Sequence, residues 1–370
     1  MLDIEEYKLQ EKIAINSLTS WREHQSHILP AFEKCGFPTQ YKNLTTLRHY
    51  INTFHETRFV SYMEECGGIT PKDLELLISV ILRNLKFQHF CFSNKKQIVP
   101  FESALAMLRV FNKIFSLKPD CKKILEIGPG AGFLAQYLYF TDIENYVAIE
   151  ACESLYLLQA MQFHYLFEDE LEQCAFGENY GNQILAPKGF GFEPDSDYIC
   201  DYEIEKKKKK KRFSHIPWWR INKIIENDMQ FDIITSNANL TEFSEGALRD
   251  YIYLIHKCLS KEGILIICCF GGGATPLANV LKQLEIYQFA ALYYKTETVI
   301  NAFFINKGHS SYQACHQSRL FQDKEGQLVI FLGDISNNVL MQEYQNKMLQ
   351  DNHRKIYTKE QLLNIIKENY

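Results

Sequence analysis

The chain has 370 residues, 46 % of them hydrophobic and 23 % charged, and a formal net charge of −5. That balance excludes a mostly disordered polypeptide and leaves ample material for a packed core. With 40 basic residues against 45 acidic ones, the chain lacks the basic excess of a dedicated nucleic-acid binder. No apolar run reaches the ~20 residues needed to cross a bilayer. The charged Asp3, Glu5 and Glu6 predict no signal peptide. The 11 cysteines are scattered and contain no Cys-x-x-Cys pair. They read as reduced core thiols of a cytoplasmic protein, with no metal site.

Residues 1–115 are expected to be a helical cap or oligomerisation region, so a homo-oligomer is compatible with it. Leu74, Leu77, Val80, Ile81 and Leu85 repeat at helical spacing behind a start at Thr70-Pro71. A second helix is expected from Pro100 to Phe115.

Residues 116–309 read as an α/β domain. Ile124–Ile127 is a short apolar strand, followed by a helix over 133–140, a strand over 145–150 and a helix over 155–167. Beyond an insertion come a strand at 231–236, a helix over 245–259, a strand at 263–270, a helix to about residue 287 and a strand over 296–305. Strands alternating with helices of this length predict a mainly parallel sheet with helices on both faces and right-handed crossovers. The insertion, about 170–215, carries Lys206 to Lys211 and Arg212 and reads as a solvated loop. Residues 310–370 form an extension with a strand candidate at 328–332 and a polar amphipathic helix near the end.

Chemistry concentrates in Ile124-Leu-Glu-Ile-Gly-Pro-Gly-Ala-Gly132. An apolar strand carries Glu126 and runs into a Gly-x-Gly-x-Gly turn that opens a helix. Glycine is needed where the backbone turns sharply and a ligand approaches closely, and the helix start offers N–H groups to an anion. A dinucleotide fold would place its third glycine one position later. The spacing of Gly128, Gly130 and Gly132 instead suits a ligand with an amine, a carboxylate and a methionine-like end. Glu150 closes the next strand, where a carboxylate accepts hydrogen bonds from the two hydroxyls of a ribose.

These segments, with Phe231–Ser236 and Leu259–Leu265, resemble the ordered motifs of class I S-adenosylmethionine-dependent methyltransferases. The resemblance implies a Rossmann-like seven-stranded sheet and S-adenosyl-L-methionine as cofactor. It further implies that Gly128, Gly130 and Gly132 line the methionine end, with Glu126 near the amino-acid part. By the same resemblance Glu150 meets the ribose, Ala151 and Cys152 lie beside the adenine, and Asn237 faces the reacting centre.

A narrower similarity is to bacterial sugar O-methyltransferases. It rests on His215-Ile-Pro-Trp-Trp219 and on Ser236-Asn-Ala-Asn-Leu-Thr-Glu242 with Ala247-Leu-Arg249; Asn239 stands where those relatives carry His. It implies transfer to a hydroxyl of a sugar, a nucleotide-linked sugar or a glycan precursor. A small metabolite, peptide or RNA acceptor is the alternative, and a non-catalytic binding protein the third reading. Transfer to oxygen needs an in-line hydroxyl and a base. His215 is the first candidate, since its ordinary pKa near ~6.5 suits neutral pH and Trp218 and Trp219 could wall a sugar. Glu242 and Asn239 complete the catalytic candidates. No Asp/Asn-Pro-Pro-aromatic sequence follows the fourth strand, and neither Cys91 nor Cys315 follows a proline, which sets base methylation of DNA aside.

Overall fold

The computed structural model describes residues 3–37, 39–52, 57–92, 95–167, 170–175, 212–269, 276–296, 300–315, 319–322, 328–331, 341–342 and 353–369. The lysine run and Gly271 to Gly273 lie outside the described residues.

Helices come first: α1 (Ile4–Ser17), α2 (Thr19–Glu23) continuing through a π turn (His24–Ile28) into α3 (Leu29–Lys34), then α4 (Leu44–His49), α5 (Phe59–Glu65), α6 (Pro71–Cys91) and α7 (Phe101–Leu117). Helix α6 starts where Thr70-Pro71 predicts. Thr70 Oγ1 accepts from the Asp73 amide at 3.0 Å, and Asp73 Oδ2 accepts from the Thr70 amide at 3.1 Å, a reciprocal cap that satisfies two orphan donors.

The sheet follows as β1 (Lys123–Ile127), α8 (Phe133–Leu138), β2 (Asn145–Glu150), α9 (Glu153–Phe167), β3 (Leu171–Gln173), β4 (Arg212–Pro217), α10 (Asn222–Glu226), β5 (Phe231–Asn237), α11 (Glu245–Cys258), β6 (Leu259–Cys269), α12 (Leu277–Ile286), β7 (Ala290–Thr296) and β8 (Ile300–Ile305). The order is β3-β4-β2-β1-β5-β6-β8-β7. All neighbours pair in parallel except those of β8, which is antiparallel to both β6 and β7.

The sheet therefore has eight strands, not the seven expected from sequence. The extra one is β3, a three-residue edge strand too short to leave an alternating pattern in the sequence. Its partner β4 also falls in the stretch read as insertion, yet it joins the sheet between β3 and β2. Of the stretch read as one strand over 296–305, Ile300–Ile305 form β8, whereas β7, Ala290–Thr296, was not read from the sequence and reaches that stretch only at Thr296.

Strands covered on both faces by crossover helices become near-continuous apolar runs. Leu125 and Ile127 pack on one side with α10, α11 and α12, while Ile124 packs on the other with α7, α8 and α9. Glu126 shares the face of Ile124 by strand alternation.

After β8 come α13 (Tyr312–Cys315), the antiparallel pair β9 (Arg319–Gln322) and β10 (Leu328–Phe331), and α14 (Lys359–Asn369). Leu362 and Ile366 of α14 are buried in the same cluster as α5, α6 and α7. Ile69 and Lys355 pair as an antiparallel bridge, and Arg354 Nη1 donates to the carbonyls of Cys66 at 2.7 Å and Gly68 at 3.2 Å. Lys359 forms an ion pair with the buried Glu102 of α7. The described cysteines include Cys66, Cys91, Cys121, Cys152, Cys258, Cys268 and Cys315, all buried and none bridged.

Candidate functional site

The strand order reverses direction between β1 and β5, whose residues Ile127 and Ser236 lie side by side. Open α/β sheets leave a crevice at such a switch point, beyond the carboxyl ends of the strands. The glycine turn sits in that crevice. Gly128, Gly130 and Gly132 have φ of +68°, +58° and +72°, a region where a Cβ is strained.

The surroundings of these glycines divide their roles. A Cβ at Gly128 would fall 1.9 Å from Asn239 Nδ2, and one at Gly132 would fall 2.7 Å from Gln162 Oε1. Those two glycines pack against protein. A Cβ at Gly130 would meet nothing within 4 Å, so Gly130 presents bare backbone to open space.

Glu126 is fully buried beneath the turn. Its carboxylate accepts from the Tyr146 hydroxyl and from Asn237 Nδ2 at 3.4 Å. Burial raises its pKa to about 7, with a smaller push from the like charge of Glu150. Asn237 Oδ1 is buried with no hydrogen-bond partner among the described residues.

Glu150 is already engaged by the protein. Its Oε1 accepts from the amides of Ala151 and Cys152 at 2.8 and 2.9 Å, and its Oε2 accepts from Gln159 Nε2 at 2.9 Å. Burial still raises its pKa, while these hydrogen bonds hold it down. Gln159 Nε2 also reaches the Gly130 carbonyl at 2.6 Å. A ribose on Glu150 would share the carboxylate with these three donors.

The pocket at the turn is walled by Glu126, Gly128, Pro129, Gly130, Ala131, Phe133, Asn237 and Ala238 from the sheet side. Tyr62 of α5, then Ser103, Ala106, Met107 and Arg109 of α7, and Cys268 of β6 complete it. Thus Glu126, Gly128, Gly130 and Asn237 are brought together on one wall, while Gly132, Glu150, Ala151 and Cys152 lie off it. The Ala151 carbonyl accepts from Gln25 at 3.2 Å, and Cys152 Sγ lies 3.2 Å from the Thr39 carbonyl, so the N-terminal segment covers that end.

The α5 and α7 contributions were not foreseen from the sequence. A signal was available: Arg109 and Lys113 stand one turn apart on a helix whose other buried positions are mostly apolar, and charge on a core face needs a reason.

The three catalytic candidates fall elsewhere. His215 lies within β4, wholly buried, its ring stacked on Tyr156 of α9 at 3.9 Å. Burial pushes its pKa down to about 3, and Nε2 shares a 2.9 Å hydrogen bond with Gln159 Oε1. It is not in the pocket wall. Asn239 ties the glycine turn to the loop after β5, since Nδ2 donates to the Ile127 carbonyl at 2.5 Å and Oδ1 accepts from Ser236. Glu242 is half-buried in the same loop with its pKa raised to about 7, by burial and then by Glu150, and it too is off the pocket wall. Trp218 is fully buried and stacks on Trp21 at 4.8 Å, while Trp219 packs on Tyr7 at 4.9 Å. Among the described residues no group of three or more His, Cys, Asp or Glu could hold a metal ion, and no helix is long and apolar enough to cross a membrane.

Neither a protein-family model nor a curated protein sequence matches the chain. Solved structures do. One is Trm1 from Pyrococcus horikoshii in complex with S-adenosyl-L-methionine, 14 % identical over 72 % of this chain and 76 % of that one, with a TM-score of 0.40. Another is a TehB-like SAM-dependent methyltransferase from Corynebacterium glutamicum, 15 % identical over 53 % and 85 %, with a TM-score of 0.34. A third is a ribosomal protein L11 methylase from Lactobacillus delbrueckii subsp. bulgaricus, 12 % identical over 54 % and 78 %, with a TM-score of 0.31. Identities and scores this low carry no argument about function, which is read from the site.

Proposed function

We propose that the chain is an S-adenosylmethionine-dependent methyltransferase. The observation that carries this reading is Gly130, a left-handed glycine facing open space at the switch point, with a buried carboxylate and an unpartnered amide oxygen on the same wall. An α-amino acid end fits that set. Glu126 and Asn237 Oδ1 would accept from its ammonium, and the bare backbone at Gly130 admits it without a clash. When bound, the cofactor supplies a methyl group already activated by positive sulfur. The chain's part is positioning and exclusion of water, which α5 and α7 provide by closing the crevice.

The finer assignment is a hydroxyl of a sugar or nucleotide-linked sugar, in a cytoplasmic enzyme without a nucleic-acid partner. It rests on the resemblance of residues 215–219 and 236–242. Incubation with methyl-labelled donor and panels of sugars, small metabolites, peptides and RNA decides the acceptor. Label appearing in peptide or RNA and in no carbohydrate would overturn the sugar reading.

Calorimetry with S-adenosylhomocysteine tests the cofactor: saturable binding is expected, and no heat at high micromolar ligand would count against it. The pH dependence has a defined sign. An ammonium is held by ionised Glu126, whose pKa burial raises to about 7. Affinity should therefore rise by roughly tenfold per pH unit as pH approaches 7 from below, then level off. Glu126→Gln should weaken binding and flatten that profile; an unchanged profile would assign the slope to another group.

A further inference from the structure

The part of the pocket that α5 and α7 supply carries an unfinished polar arrangement. Arg109 and Ser103 of α7 are 7 % and 3 % exposed, and both line the pocket. Arg109 is paired with Glu65 of α5, and its guanidinium sits 4.9 Å from the centre of the Tyr62 ring. Even so, Arg109 Nε and Ser103 Oγ are buried with no hydrogen-bond partner among the described residues. A guanidinium has five N–H donors in a planar fork, more than a single carboxylate uses. Buried donors left without acceptors are costly and therefore uncommon. One turn further along α7, Lys113 is also buried and donates to Cys268 Sγ at 3.7 Å, but does not itself line the pocket.

We propose that Arg109 and Ser103 form an oxyanion-binding arm that receives a carboxylate or phosphate of a ligand in the pocket. An anionic group with two oxygens offers acceptors for both a guanidinium edge and a hydroxyl lining the same pocket. Tyr62 and Glu65 hold the guanidinium against the wall, so little side-chain freedom is left to lose on binding.

Two sources of this oxyanion are compatible with the pocket. One is the carboxylate of the donor's amino-acid end, whose ammonium would lie at Glu126 and Asn237; this arm rests on the function proposed above. The other is an acidic group of the methyl acceptor, which needs only the pocket itself.

Calorimetry separates these, using S-adenosylhomocysteine, 5′-methylthioadenosine (which lacks the amino-acid carboxylate) and inorganic phosphate as probes. The variants are Ser103→Ala and the double change Arg109→Gln with Glu65→Gln, which removes both charges and so leaves no buried ion unpaired. Thermal melting confirms that each variant is folded. If the arm holds the donor, S-adenosylhomocysteine affinity falls by about 10- to 100-fold in the double variant while 5′-methylthioadenosine binding stays unchanged. If it holds the acceptor, both nucleosides bind normally, but phosphate binding to the wild type in the presence of S-adenosylhomocysteine is lost in the variant. Folded variants that match the wild type for all three probes would overturn the proposal. If neither nucleoside binds the wild type, the cofactor reading fails, while phosphate bound by the wild type and lost in the variants would still support the arm.

Discussion

Gly130→Val is expected to weaken S-adenosylhomocysteine binding by about 100-fold or more, some 2.7 kcal/mol, in a protein that still folds. The Gly130 Cβ direction is empty to 4 Å, so a Cβ there meets no protein atom and the branched side chain projects into the space a ligand needs. The cost to the fold is backbone strain alone, since a β-branched residue is poorly tolerated at φ +58°; about 1–3 kcal/mol is the usual range for such strain. Gly128→Ala supplies the contrast. Its methyl collides with Asn239 Nδ2, which donates to the Ile127 carbonyl, so the loop after β5 must shift and stability falls together with binding. Titration calorimetry beside thermal melting separates the two. Wild-type affinity in folded Gly130→Val would move the ligand out of this crevice.

Trp218→Ala should cost about 3–5 kcal/mol of stability, the usual range for deleting a large buried aromatic. Trp218 is fully buried, stacks on Trp21 and donates from its indole N–H to Glu11 Oε1 at 3.3 Å. Burial and the neighbouring Glu153 raise the Glu11 pKa to about 8, so losing the indole donor also leaves that carboxyl with less support. The sequence reading offered Trp218 as the wall of a sugar site. A sugar-wall tryptophan would lower turnover and leave the denaturation midpoint in place. Urea unfolding distinguishes them, and an unchanged midpoint would return Trp218 to the acceptor site.

The glycine turn and its strand were legible because close backbone approach and positive φ restrict the residue type at Gly128, Gly130 and Gly132. The apolar runs at 124–127, 145–150 and 231–236 were legible for an equally local reason: central parallel strands are covered on both faces. What depended on distant partners was not legible. Strand β3 exists because β4 offers it an edge, and β4 is separated from β2 in sequence by the whole insertion. His215 has the chemistry of a base, but its role follows from Tyr156 and Gln159 closing over it. Asn239 reads as a polar residue near a reacting centre, whereas its amide holds two loops together. Arg109 meets Glu65 from a different helix, a juxtaposition that neither segment encodes alone.

The last helix bears on this crevice although it lies far from it in sequence. Arg354 grips the Cys66 and Gly68 carbonyls just past α5, Lys359 pairs with Glu102 on α7, and Leu362 and Ile366 wedge in behind. The two helices that supply Tyr62 and Arg109 are thus buttressed from the rear by the tail of the chain. On the function proposed above, disturbing residues 354–366 is therefore expected to loosen the pocket wall that Tyr62 and Arg109 form, read as weaker S-adenosylhomocysteine binding.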